Sequence, residues 1–249
     1  MDLGLSPEAW SALLACAAII LSQLPPVRLW FKKPGLSLMV RNQAALRASA
    51  NGPMIQLFLR VENIGTTKVR VDRVSLAVRR DRLPLMEVDA QGYFETLGST
   101  NPVVFHPFFV APEDAWTHTL NFFASLSRED ERAYRREKSA LITNIQSQLS
   151  VRPAGNTALV YADPAVALPL KARFERNFVW QQGEYELSLF LWGKDGKVIT
   201  EEKYRMLLFE SDREELLAAK ERLATGDGIM FDGQLPPVVL VPLDSAKNG

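Results

Sequence analysis

The chain of 249 residues carries 29 Lys and Arg against 29 Asp and Glu, and 23% of its residues are charged. This neutral balance argues against a nucleic-acid-binding protein, which normally has a basic excess. The single cysteine, Cys16, rules out an intramolecular disulfide, and nothing in the composition indicates an oxidising compartment.

An uncharged run at residues 9–24 opens the chain, and apolar residues continue it to Phe31. We predict a single transmembrane helix with its basic flank over residues 9–31, preceded by a short N-terminal tail over 1–8. As a helix the uncharged run spans about 24 Å, slightly less than the ~30 Å hydrocarbon core. A buried or interfacial helix is therefore the alternative. A cleaved signal peptide requires a basic start, which this sequence does not have.

The charges around this run predict its orientation. Basic residues follow it at Arg28, Lys32 and Lys33, and none precede it. Basic flanks stay on the cytoplasmic side of a membrane. We therefore expect a single-pass protein of the cell inner (plasma) membrane, held in the lipid bilayer through residues 9–31. Its N-terminus would lie outside and its C-terminal domain in the cytoplasm.

The body of the chain begins with strand patterns. Residues 54–65, MIQLFLRVENIG, alternate between apolar and polar side chains, which is typical of a half-buried strand. A turn at 63–65 leads into a second strand over 68–80. The apolar phase of this second strand reverses at Asp72 and Arg73. We predict a β-bulge there, or a point where the chain passes between sheets.

The middle of the chain contains a helix pattern among weaker strand patterns. Residues 127–149 begin with Ser127 as a capping residue and have three acids in the first turn, which favours a helix. This helix would be an insertion between strands or part of a second small domain. Weaker strand patterns cover residues 36–41, 103–110, 116–123 and a segment near 157–161.

The C-terminal third contains the other strong hairpin. Residues 183–210 alternate on both sides of KDGK at 194–197, an Asp-Gly turn. A helix follows over 211–225 with a capping box at its start. The tail at 226–249 is rich in Pro and Gly. Its segment PPVVLVP, 236–242, would be an added strand or a partner-binding segment.

Two of these segments resemble a known class of fold. LFLRVENIGTTKVRVDRVSLAV and GEYELSLFLWGKDGKV resemble the opening and closing hairpins of immunoglobulin-like sandwiches, of the fibronectin type III and bacterial cell-adhesion-related kinds. The resemblance implies a mainly β, antiparallel β-sandwich over residues 34–210, with the helical insertion at about 127–149 and a C-terminal helix. It also implies that Tyr185 corresponds to the tyrosine corner of such folds.

Two histidines are the candidates for chemistry. His106 lies in VFHPFF, and His118 lies in WTHTLNF in phase with its apolar neighbours. We interpret both as structural residues, because no cysteine or acid stands at ligand spacing beside them and no nucleophile motif is present. The sequence therefore predicts no catalytic, cofactor-binding or metal-ligating residue and no cofactor.

Five segments have a structural interpretation. The charges of RRDR, 79–82, and of the 127–149 helix form a solvated face, with attraction to anionic headgroups as the alternative. The acidic turns at 161–164 and 227–233 do not have the ligand spacing of a calcium loop. The aromatic stretch at 103–112 fills the core or forms an exposed patch that receives a partner.

These observations lead to three functional hypotheses. The first is a non-enzymatic protein-interaction module on the cytoplasmic membrane face. It would bind a protein partner, and no nucleic acid, through a sheet edge, the 127–149 helix or the C-terminal tail. The second is an envelope protein with its domain outside the cytoplasm, in adhesion or assembly. The third is an enzyme that uses His106 or His118 as a general base.

Overall fold

The computed structural model describes residues 35–96, 99, 101–153, 155–229 and 238–246, together with isolated positions between 11 and 19. Strands are the most abundant regular structure in this part of the chain. Their bounds are β1 Leu36–Ser49, β2 Gly52–Asn63, β3 Val69–Val71, β4 Arg73–Arg80, β5 Leu83–Phe94, β6 Val103–Val104, β7 Phe108–Val110, β8 Ala115–Phe123, β9 Gly183–Trp192, β10 Val198–Leu208, β11 Val239–Pro242 and β12 Asp244–Ser245.

Three α-helices lie between and after these strands: α1 Arg128–Ser150, α2 Pro164–Asn177 and α3 Glu210–Arg222. A short 3-10 helix, Leu223–Thr225, extends α3. The sequence patterns predict α1 and α3 within a few residues. They miss α2, which begins with a proline in its first turn and has another at Pro169.

The strands follow from simple alternation. On β2 the apolar side chains from Ile55 to Val61 are at most 1% exposed at every second position, while Arg60 faces solvent. On β9 the same holds from Tyr185 to Leu191. Because successive side chains on a strand point to opposite faces, each of these strands has one fully buried face.

One continuous antiparallel sheet runs through the molecule in the order β11-β1-β2-β8-β5-β4-β9-β10-β12. Its bend is made by β5, whose residues 83–89 pair with β4 and whose residues 90–94 pair with β8. A register shift between Ala90 and Gly92 lies at the start of the part that pairs with β8. A bulge of this kind increases bend and twist, so the sheet curls around its apolar face.

The C-terminal segment at residues 239–245 joins the two ends of this sheet. Its first part, β11, pairs with β1, and its second part, β12, pairs with β10. The residue between them, Leu243, donates its backbone N–H to the carbonyl of Asn42 at 2.9 Å. The sheet therefore returns to its beginning and forms a nearly closed barrel.

The helices cover one end of this barrel. Trp180, fully buried, follows α2 and donates its indole N–H to the carbonyl of Arg47 on β1 at 3.0 Å. Arg173 on α2 is 4% exposed and forms an ion pair with Glu137 on α1 at 2.7 Å. The same guanidinium makes a second hydrogen bond to Glu137 at 3.1 Å, and this bidentate geometry fixes α1 against α2.

The predicted immunoglobulin-like sandwich is wrong. A sandwich has two separate sheets, whereas this protein has one curled sheet. β5 belongs to both halves of it, and residues 239–245 bridge its two edges. Alternation along a strand indicates which side faces the core. It carries no information on how the ends of a sheet meet, and this is what distinguishes a barrel from a sandwich.

The predicted transmembrane helix is not supported either. The description of the protein as a single-pass membrane protein depended on this helix and is unsupported as well. Among the residues that the structure describes, no helix is both long and apolar enough to cross a membrane. Most of the predicted span at 9–31 lies outside the described residues.

The local predictions have mixed outcomes. The phase reversal at residues 72–73 is confirmed as a passage between sheets, since β3 pairs with β7 in a separate two-stranded sheet and β4 pairs with β5 and β9. For the segment at 236–242 we predicted either an added strand or a partner-binding segment, and the structure shows a strand there. The strand predicted near 157–161 is wrong, because these residues are irregular. The capping box of α3 lies elsewhere: Phe209 donates its N–H to the carboxylate of Asp212 at 2.8 Å.

Candidate functional site

Tyr93 stands between the two histidines of the chain. It lies near the end of β5 and is 6% exposed. Its hydroxyl oxygen is 3.3 Å from Nε2 and 3.4 Å from Nδ1 of His106. The His118 ring lies on another side of Tyr93, with the two ring centroids 4.9 Å apart. We call these three residues the Tyr93 cluster; their positions in the sequence give no sign of this proximity.

The bend of the sheet brings these residues together. Trp116 and His118 lie on the same face of β8 as the buried Leu120. Tyr93 is paired with Leu120 across the β5–β8 ladder and therefore lies on that face as well. Phe108, from β7, stacks on Trp116 with 3.9 Å between ring centroids. The cluster is thus a continuation of the barrel core towards its rim.

A glycine allows the segment that carries His106 to approach. β6 pairs with β5 through Gly92 and Tyr93. A Cβ atom on Gly92 would lie 2.7 Å from the backbone oxygen of Val103. Since real side chains do not tolerate this contact, Gly92 is required for β6 to lie against β5, and His106 follows two residues after β6.

Hydrogen bonds join the cluster to the neighbouring backbone. Nδ1 of His118 is 3.1 Å from the carbonyl oxygen of Phe94. A carbonyl oxygen only accepts, so Nδ1 donates this hydrogen bond. Burial, and then the negative charge of Glu95, raises the pKa of Tyr93, so the phenol remains protonated at neutral pH. Its hydroxyl lies within hydrogen-bonding distance of both ring nitrogens of His106, and this contact, together with the β5–β6 pairing, holds the 103–107 segment against β5.

The described residues contain no group of three or more His, Cys, Asp or Glu side chains that could hold a metal ion. The acidic turn at 161–164 is used locally, since Asp163 accepts a hydrogen bond from Asn144 of α1 at 2.7 Å. In the turn at 227–233, Asp227 forms an ion pair with Arg222 at 2.5 Å. Residues 230–237 lie outside the described part of the chain.

The aromatic stretch at 103–112 fills the core in part, as predicted for one of its two alternatives, and leaves one ring exposed. Phe105 and Phe108 pack towards the core. Phe109, which is 54% exposed, faces out. The Nζ atom of Lys68 lies 4.6 Å above the Phe109 ring, and the guanidinium carbon of Arg70 lies 5.7 Å from it. Two cation–π contacts thus cover part of this exposed ring.

The charged segment RRDR, 79–82, borders a cleft of about 480 Å³. Arg79, Glu186 and Arg205 lie directly opposite one another across β4, β9 and β10. Two further acids, Asp81 and Glu184, and Arg82 complete the charged lining, so positive and negative groups balance. Alternating charges on an outer sheet face are typical of a solvated surface, as predicted for this segment.

Four exposed apolar side chains lie in and beside the segment where α1 leads into α2. We call Val151, Leu159, Tyr161 and Leu168 the connection surface. Val151 and Leu159 are 81% and 72% exposed, and Leu168 and Tyr161 are 64% and 58% exposed. Val151 and Leu159 also border a groove of about 350 Å³. Sequence reasoning missed this surface because it assigned residues near 157–161 to a strand.

Comparison with known proteins adds little. No protein-family model matches the chain, and no curated protein matches it. A solved structure described as "Crystal structure of protein from Archaeoglobus fulgidus" is similar at 11% sequence identity and a TM-score of 0.26. The match covers 71% of this chain and 98% of the other. A TM-score this low carries no argument about fold or function.

Proposed function

We propose that this chain is a non-enzymatic protein-interaction module and that the connection surface is where its partner binds. The observation that supports this most is the exposure of four large apolar side chains in and beside the connection between α1 and α2, two of which, Val151 and Leu159, border one groove. Soluble proteins rarely leave such side chains together in water unless another surface covers them. The proposal concerns binding, and it assigns no chemistry to the Tyr93 cluster.

The closure of the barrel narrows the choice of surface. Three surfaces are candidates from the sequence: a sheet edge, the helix at 127–149 and the C-terminal tail. The edges of the sheet are β1 and β10, and residues 239–245 of the tail lie between them. The described part of the tail and the edges it covers are thus used within the fold. Among the surfaces that the tail does not cover, the end of the helical pair carries the four exposed apolar side chains.

The size of this surface predicts a transient complex. Four side chains at these exposures present on the order of 400 Å² of apolar surface, within the range of functional patches on monomers. Burying it contributes about 10 kcal/mol at ~25 cal/mol per Å². Association costs about 4–15 kcal/mol in lost motion. We therefore expect modest affinity and a partner that binds and dissociates.

Site-specific photo-crosslinking tests this proposal. A benzoylphenylalanine placed at Leu159 or at Leu168, in the full chain expressed in its host, should give the same covalent adduct. The matched control is the same group at Leu83, which is 70% exposed and begins β5 on another surface. We expect no such adduct from position 83.

A substitution provides the second arm of the experiment. Leu159→Asp places a charge in the surface and should reduce the adduct formed from position 168 at least tenfold, while the circular dichroism spectrum stays unchanged. Equal crosslinking from position 83, or an adduct at 168 that is insensitive to Leu159→Asp, would show that the connection surface is not the binding site.

A further inference from the structure

A small cavity lies where the three α-helices meet the end of β1. Its volume is about 30 Å³, and its walls come from β1 and the turn after it, from all three helices and from the turn that follows α3. Most of the wall is apolar and buried, and consists of Ala48, Ala50, Phe174, Ala219, Leu223 and Ile229. Such a lining alone would make this an ordinary small void of a protein core.

One charged group makes this cavity different. Asp227, in the turn after α3, is the one acid among the described residues that line it, and its side chain is only 9% exposed. Its Oδ2 pairs with the guanidinium of Arg222 at 2.5 Å. Its Oδ1 is buried, and no described residue donates a hydrogen bond to it. A buried carboxylate oxygen without a donor is costly, and native proteins satisfy such groups with their own atoms or with bound water.

The size of the cavity restricts what could donate to Oδ1. A water molecule needs about 10–15 Å³ of free space and occupies about 30 Å³ in the liquid. Pockets that bind substrates or cofactors usually measure about 300–1,000 Å³. The cavity therefore has room for one water molecule and is much too small for a molecule of substrate size.

The charge of the cavity favours a neutral donor over a metal ion. The guanidinium of Arg222 already neutralises the Asp227 carboxylate, and it would repel a second cation beside it. Calcium takes about 6–8 oxygen ligands, and magnesium requires an octahedral set. A single carboxylate with one oxygen already paired does not supply such a set, whereas a neutral water molecule needs one acceptor for each proton that it donates.

We propose that this cavity binds one ordered water molecule, which donates a hydrogen bond to Oδ1 of Asp227. A buried water typically makes about three hydrogen bonds. Ser49 on β1 and Tyr134 on α1 carry hydroxyl groups and also line the cavity, so both elements offer further hydrogen-bonding groups. The water completes the ion pair of Asp227 with Arg222 and joins the turn after α3 to the barrel and to the helical layer.

Oxygen-17 magnetic relaxation dispersion of the solvent tests this proposal, because it detects water molecules that stay in a protein for longer than the protein takes to rotate. Asp227→Leu keeps the branched shape of the side chain but cannot accept a hydrogen bond, and it should lose the signal of about one water molecule. Asp227→Asn keeps hydrogen-bonding atoms at the same place and should retain this signal. Asp163→Leu is the matched control, since Asp163 is exposed, and it should retain the signal as well.

A crystal structure of the unmodified full chain provides a second measurement that depends on no variant. We expect an oxygen peak about 2.5–3.0 Å from Oδ1 of Asp227. No peak at this position, a donor atom of the chain itself in its place, or a metal ion with oxygen ligands at about 2.3–2.6 Å would overturn the proposal. A relaxation signal of the same size in the unmodified chain and in a folded Asp227→Leu variant would also overturn it.

Discussion

Replacing Asn63 with alanine tests whether one buried amide holds the end of β2 in place. The Asn63 side chain is 1% exposed. Its Nδ2 donates to the carbonyls of Thr67 and Val110 at 2.8 and 2.9 Å, and its Oδ1 accepts from the N–H of Gly65 at 2.9 Å. These three bonds fasten the 63–67 turn to β7. Asn63→Ala removes all three hydrogen bonds and leaves the backbone groups of Thr67, Val110 and Gly65 without this hydrogen-bond partner.

The expected loss follows from the burial of these groups. A typical hydrogen bond contributes about 1 kcal/mol, and a buried group left without a partner costs ~1–3 kcal/mol. With partial relaxation of the turn, we expect Asn63→Ala to lower the free energy of unfolding by about 2–4 kcal/mol. Equilibrium urea denaturation, followed by tryptophan fluorescence, measures this difference through the transition midpoint.

Asn156 offers a matched control. Its Oδ1 accepts hydrogen bonds from Arg152 and from the N–H of Ala158, at 3.1 and 3.0 Å, but Asn156 is exposed. Water can replace these bonds, so Asn156→Ala should change the free energy of unfolding by less than about 0.5 kcal/mol. If the two substitutions cost the same, or Asn63→Ala costs under about 1 kcal/mol, burial of the Asn63 bonds does not stabilise the turn as reasoned.

Three further predictions concern other contacts. Tyr185→Phe removes a hydroxyl that donates to the carbonyl of Gln181 at 2.7 Å and accepts from its N–H at 2.9 Å, and should cost about 1–3 kcal/mol in urea denaturation. Gly92→Ala should detach β6, seen as faster amide exchange over residues 103–107, with little change on β9. A hydrogen bond from the Ser127 hydroxyl is the largest cause of the lowered pKa of Asp130. The ionised Asp130 carboxylate stabilises the fold at pH values above its pKa in the unfolded chain, which is about 3.9. This stabilisation is lost as the pH falls through the lower pKa that the group has in the folded chain. Ser127→Ala should raise this pKa in an NMR titration, and an unchanged value would contradict the assignment.

The sequence predicted the local elements well where one physical signal dominates. The alternation over 54–65 predicted β2, and the capping residue Ser127 with its acidic first turn predicted α1, whose N-cap side chain does accept from the N–H of Asp130. The Asp-Gly turn at 194–197 predicted the β9–β10 hairpin, and Gly196 there has a φ of 73°. These signals are local because they arise from backbone geometry and nearest neighbours along the chain.

The candidate site could not be predicted in this way. His106 and His118 belong to different segments, and Tyr93 to a third. They meet because β5 pairs with both β6 and β8, which is a property of the sheet and not of any one strand. Likewise, the connection surface is apolar in sequence, but its exposure depends on what packs against α1 and α2. Burial is decided by neighbours that are distant in the chain.

What the sequence determined by itself is therefore the strands with clear alternation, such as β2, β9 and β10, and two of the three helices in the described part of the chain. It did not predict β5. Whether the sheet closes depended on long-range pairing: β5 is shared by two halves, and residues 239–245 reach both β1 and β10. Alternation is satisfied equally by a sandwich and by a barrel, because each buries one face of every strand. Only the tertiary structure decides between them, through the pairing of edges that no local pattern specifies.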